Sequence, residues 1–179
     1  MSYDSRQHED CWDDLRSPAT GINPIGGASD PTFDPTELAL SFSNAQDNVL
    51  AIVNHTPHGL DKSMPLKPHI HVYARVDPVT PKVVKWRLEY KVYERGKQVP
   101  SAWTTVNVDQ TITSADYDKS ATVEFGTIDI SAIAGYAGFI KCKLSRIVSG
   151  QTYNSPVFLD EFDHHAVWNS NGSSAEFPG

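Results

Sequence analysis

The chain has 179 residues, a formal charge of −7 and 39% hydrophobic residues, enough for one domain with a sizeable core and too little for a second. The acidic balance leaves no basic surplus to displace counterions from phosphates, which argues against nucleic-acid binding. Met1–Asp10 lacks the apolar core of a secretory leader and no stretch reads as a membrane span, so the expectation is a protein made in the cytoplasm with no membrane partner.

Taken in chain order, residues 1–36 show almost no periodicity. Pro18, Gly21, Pro24, Gly26, Gly27, Pro31 and Pro35 interrupt any regular element. Such a segment cannot offset its own ordering entropy by burial. Its spaced apolar residues, Trp12, Leu15, Ile22, Ile25 and Phe33, therefore read as anchors of an extended N-terminal arm that docks on its own body or on a neighbour.

Residues 37–168 read as one β-domain. Short alternating runs separated by turn residues predict strands over 38–43, 48–54, 69–77, 82–95, 103–108, 121–130, 137–149 and 155–163. The clearest places Val84, Trp86, Leu88, Tyr90 and Val92 inward, against Lys85, Arg87, Glu89 and Lys91. Its neighbour has Ile70, Val72, Ala74 and Val76 inward, and His69, His71, Tyr73 and Arg75 on the other face. Ile140, Cys142 and Leu144 repeat the pattern. Glu94–Lys97 and Val148–Gln151 look like turns that close hairpins, and Ser131–Ala134 like one helical turn. About eight antiparallel strands without a sustained helical period predict an all-β, jelly-roll-like β-sandwich. Residues 169–179 are compositionally biased and read as a C-terminal tail.

The candidate chemistry is sparse. Two cysteines, Cys11 and Cys142, do not make a disulfide framework, and Cys142 reads as a buried hydrophobe. There is no Gly-x-Ser-x-Gly elbow, and Gly26-Gly27 does not open a helix as a phosphate loop would. Trp86, Trp103 and Tyr136 offer faces for stacking on sugars, but tryptophans at alternating strand positions read first as core.

His69 and His71, two apart on a strand, point to one face. A double-stranded β-helix metal site of the cupin kind starts this way, but it also needs a carboxylate a few residues on. Val72–Val76 supplies none, and Arg75 adds positive charge to that face. The expectation is therefore no metal and no cofactor, with His69 and His71 the candidates were a metal bound and His55, His58, His164 and His165 in reserve. The alternative role is an interface or wet face, with the pair set against carboxylates of Asp160–Asp163 and titrating near neutral pH.

Several segments in order, Trp12-Asp13-Asp14-Leu15-Arg16, Pro57-His58, Pro68-His69-Ile70-His71, Leu88-Glu89-Tyr90, Cys142–Arg146 and Asp160–His164, carry a resemblance over about residues 11–172. The chain resembles a family of small virion structural proteins of tailed bacteriophages. Those proteins usually carry an aromatic after the second histidine, where this chain has Val72.

The resemblance implies a non-enzymatic capsid decoration or cement protein. It would be made in the host cytoplasm, then bind the outer capsid surface as a homotrimer, with the major capsid protein as partner. Trp12, Asp13, Asp14, Leu15, Arg16, Phe33, His69 and His71 are then expected at interfaces, the arm crossing a neighbour. A tail or adhesin component binding a receptor or glycan, and a cupin-like metal-binding protein, are the alternatives.

Overall fold

The computed structural model describes residues 11–22, 27–135 and 137–168. Expectations that fall on Met1–Asp10, Pro24, Ile25, Gly26, Tyr136 and the tail 169–179 lie outside them. The described residues form β1 (Cys11–Pro18), β2 (Thr32–Asp34), β3 (Ala39–Phe42), β4 (Asn48–His55), β5 (Lys67–Ala74), β6 (Lys82–Glu94), β7 (Thr104–Ile112), β8 (Ala121–Glu124), β9 (Gly138–Ile147) and β10 (Val157–Trp168). A short 3-10 turn, Ala19–Gly21, follows β1. Among these residues no helix is long and apolar enough to cross a membrane.

Two antiparallel sheets pack face to face. One has the order β2-β3-β10-β5-β8, with β1 also on β10; the other has β4-β9-β6-β7. The pairings are nested: β6 with β7, β5 with β8, β4 with β9, and β3 with β10. This is a long antiparallel ribbon rolled over on itself, the eight-stranded jelly roll. All eight strands read from the alternation are present, with ends shifted by up to six residues: the run expected over 121–130 is a strand only from Ala121 to Glu124.

The core lies where the alternation places it. Val84, Trp86 and Leu88 of β6, Ile70, Val72 and Ala74 of β5, and Ile140, Cys142 and Leu144 of β9 are buried between the sheets. Phe42 meets Trp86 edge to face across the gap, ring centroids 5.3 Å apart, the arrangement that aromatic quadrupoles favour. Burial pushes the Cys142 thiol up to about 12, which makes it an inert core group. Val76, expected inward, is half exposed because β5 stops at Ala74.

Two local expectations are corrected. Val148–Gln151 is a turn, with Gly150 at φ 76° and the Gln151 N–H donating to the Val148 carbonyl. It closes no hairpin, because β9 and β10 belong to different sheets. Ser131–Ala134 holds a single turn bond, Ile133 N–H to the Ile130 carbonyl, and no helix.

The connection between β9 and β10 is fastened by Arg146, which is fully buried. Its guanidinium donates to the carbonyls of Phe42 (2.9 Å), Ser155 (2.8 Å) and Tyr153 (2.9 Å), and to the Gln151 side chain (3.0 Å). Phe42 ends β3 in the first sheet while Arg146 stands on β9 in the second, so one side chain joins both sheets to the crossover. Burial works against the charge and pulls the Arg146 pKa down to about 10.

The described part of the arm docks on its own body. β1 runs antiparallel to β10, from Cys11 opposite Trp168 to Pro18 opposite Glu161, and β2 pairs with β3. Leu15 enters the core with 9% exposure. Residues 11–18 and 32–34 are thus strands of the first sheet.

Candidate functional site

The outer face of the first sheet, turned away from the core, gathers the polar residues that the sequence scatters. β5 presents His69 and His71 there. Across the ladder β10 sets Asp163 opposite His69 and Glu161 opposite His71. On the far side β1 sets Arg16 opposite Asp163 and Asp14 opposite His165, and β8 sets Thr122 opposite His71 and Glu124 opposite His69.

A one-residue irregularity makes this possible. The β10–β5 register shifts between Leu159 and Glu161, leaving Asp160 as the extra residue of a β-bulge. Before it, Leu159 faces the core; after it, Phe162, His164 and Ala166 do. Without the shift Phe162, and not Asp163, would stand against His69, since a one-residue slip reverses every side chain.

At the centre, Asp163 Oδ2 lies 3.7 Å from His69 Nε2 and 3.5 Å from His71 Nε2. The side chains of Asp163 and His69 are 2% and 4% exposed, and that of His71 34%. Asp163 Oδ1 is buried with no hydrogen-bond partner among the described residues. The other nitrogens of both rings are engaged: His69 Nδ1 faces the Lys67 carbonyl at 3.3 Å, and His71 Nδ1 faces Thr122 Oγ1 at 3.3 Å. The His165 ring meets His69 edge-on at 4.2 Å, and its Nε2 is 3.3 Å from Asp14 Oδ1. Two groups of three donor atoms, from His69, His71 and Asp163 and from Asp14, His69 and His165, each lie within 4.8 Å of one another.

Burial sets the electrostatics of this patch. It raises the Asp163 carboxyl to about 7, helped by the neighbouring charges of Glu161 and Asp14 and opposed by Arg16 and the Ser17 backbone. It lowers His69, against the pull of the Lys67 carbonyl and with help from His165 and His71. On the core side, burial holds His164 neutral, down to about 3, with its Nε2 3.9 Å from the Cys142 sulfur.

Two of the residues expected at interfaces are buried in the chain itself. Leu15 is in the chain's own core and His69 is covered by its own neighbours, so neither is open to a partner in this arrangement. Trp12 is 47% and Phe33 39% exposed, with Lys67 Nζ 4.6 Å above the Trp12 ring. Asp13 is exposed and accepts from the Asp14 N–H at 2.8 Å; Arg16 is exposed, 3.7 Å from Asp14. Arg75 is drawn off to Glu37 and Asp118 and lies over Tyr73, so its charge is neutralised away from the histidines. Of the aromatic candidates for stacking, Trp86 is core and Trp103 lies between Lys91 and Lys143, 4.6 and 4.3 Å from its ring. Sequence reasoning set the pair against the carboxylates of Asp160–Asp163 without singling out Asp163, kept His165 in reserve, and missed Asp14. The acidic run and the spare histidines were the available signals.

No protein-family model matches the chain, and no curated protein matches it. Among solved structures it is similar to an isomalto-dextranase of Arthrobacter globiformis T6 complexed with panose (TM-score 0.43, 10% identity, 84% of this chain and 23% of that one). It is also similar to an insecticidal delta-endotoxin of Bacillus thuringiensis (0.42, 13%, 85% and 24%). A third is the CBM22-1 xylan-binding domain from Paenibacillus barcinonensis (0.40, 16%, 89% and 95%). The chain spans about a quarter of the length of the first two.

Proposed function

We propose that this chain is a non-enzymatic structural protein of a tailed-phage virion, a capsid decoration protein. It binds the outer shell as a homotrimer, with the major capsid protein as its partner, and stabilises the shell. One observation supports this reading above the others. Three of the segments that carry the family resemblance, Trp12–Arg16, Pro68–His71 and Asp160–His164, are far apart in the chain yet lie side by side on β1, β5 and β10. Their adjacency gives the three segments one shared surface, which supports a common role for them. At the rim of the sheet, Trp12 and Phe33 remain exposed, and such residues are the usual anchors of a protein interface.

Mass spectrometry of purified particles tests the reading. Hundreds of copies per particle are expected, a handful would assign the chain to the tail, and none would overturn a virion role. The variant Trp12→Ala with Phe33→Ala removes two exposed side chains without touching the core, and is expected to weaken shell binding by more than about tenfold. Unchanged binding would remove these residues from the interface.

A further inference from the structure

We propose that the outer face of the first sheet holds a divalent transition-metal ion of the zinc class, ligated by His69 Nε2, His71 Nε2 and Asp163 Oδ2. The distances carry the argument. Separations of 3.7 and 3.5 Å between the carboxylate oxygen and the two ring nitrogens are too long for hydrogen bonds. Two donors that each stand about 2.0–2.1 Å from one tetrahedral ion are instead about 3.3–3.4 Å apart.

The surroundings fit a ligand set. Each imidazole is oriented by its Nδ1, through the Lys67 carbonyl for His69 and the Thr122 hydroxyl for His71. The Lys67 carbonyl can only accept, so His69 carries its proton on Nδ1 and keeps the Nε2 lone pair free, and the Thr122 hydroxyl can accept from His71 Nδ1 in the same way, as second-shell contacts do for metal-bound histidines. Asp163 is 2% exposed, and its Oδ1 has no hydrogen-bond partner among the described residues. A buried carboxylate costs free energy unless its charge is compensated, and a cation between Oδ2 and the two rings does so. The donor chemistry, imidazole nitrogens with one carboxylate and no thiolate, selects zinc, cobalt or nickel over calcium or magnesium. His71 keeps one side of the site open to solvent, which gives the ion an entry path. The β-bulge at Asp160 is the backbone device that turns Asp163 toward the histidines.

Binding is measured on the full chain after chelator treatment and dialysis. Calorimetry with Zn²⁺ is expected to give one ion per chain, and Co²⁺ to give visible d–d bands of a four- or five-coordinate ion. His71→Gln alters a partly exposed side chain, so the fold, checked by circular dichroism, is expected to persist while Zn²⁺ affinity falls more than about tenfold. His55→Gln, an exposed histidine on the other sheet, serves as the control and is expected to bind as the parent does. Any one of three results overturns the site: no Zn²⁺ uptake by the folded parent, equal affinity in folded His71→Gln, or tighter binding of Ca²⁺ or Mg²⁺ than of Zn²⁺. Zinc uptake and virion location are read separately, so either can fail without the other.

Discussion

Arg146→Met is the most direct test of how the two sheets are joined. The substitution keeps an apolar stem in the core and removes the donors. It leaves the carbonyls of Phe42, Ser155 and Tyr153 without the bonds now made at 2.9, 2.8 and 2.9 Å. An orphaned buried carbonyl costs about 1–3 kcal/mol, less where water reaches it at the crossover. Removing the guanidinium also relieves the desolvation that holds its pKa down to about 10. These terms oppose each other, and a net loss of about 3 kcal/mol is expected, at the low end for breaking a buried charged network. Urea unfolding followed by tryptophan fluorescence measures it, the midpoint falling with an unchanged slope. A loss under about 1 kcal/mol would refute the reasoning, because the carbonyls would then be satisfied without the arginine.

Other outcomes follow from β1 and from the Glu37–Arg75 pair. Leu15→Ala is expected to cost about 2–4 kcal/mol and to speed amide exchange over residues 11–18 ahead of the other strands. Uniform exchange across the sheet would show that β1 is no independent edge. Glu37 is held below its ordinary value of 4.5 chiefly by its bonds from Arg75, with Tyr73 adding. A depressed carboxyl pKa stabilises the fold above about pH 4.5, and that contribution is lost as pH falls below it. Glu37→Gln is therefore expected to flatten the acid limb of a stability–pH curve; an identical limb in the variant would reject the pair as its source.

The strands were legible because each obeys a period of two that sequence displays directly. Val84, Trp86 and Leu88 alternate with charged residues, and Ile140, Cys142 and Leu144 do the same. The cluster was only half legible. His69 and His71 announce themselves by spacing, and Asp160–Asp163 was a visible source of carboxylate. Which residue of that run faces the histidines depends on the bulge at Asp160, and no local pattern marks it. Asp14 was hidden for a different reason. Proline and glycine beyond Ser17 make the whole N-terminal segment read as an appendage, yet β1 needs only one edge of β10 and one apolar anchor, Leu15, to join the sheet. Arg75 was misjudged because its partners Glu37 and Asp118 are distant in sequence.

The nesting of the strand pairs has a consequence for how the molecule comes together. β6 and β7 are joined by a short loop and can pair early, whereas each enclosing pair must close a longer loop before its contacts are rewarded. β5 finds β8 next, β4 finds β9, and the outermost event brings β10 beside β3 and then β1, nearly the length of the chain apart. On this order the histidines on β5 would be paired before the carboxylates of β10 and β1 reach them. The outer-face cluster thus depends on the longest-range pairings of the molecule, and hydrogen exchange during refolding is expected to show it completed last.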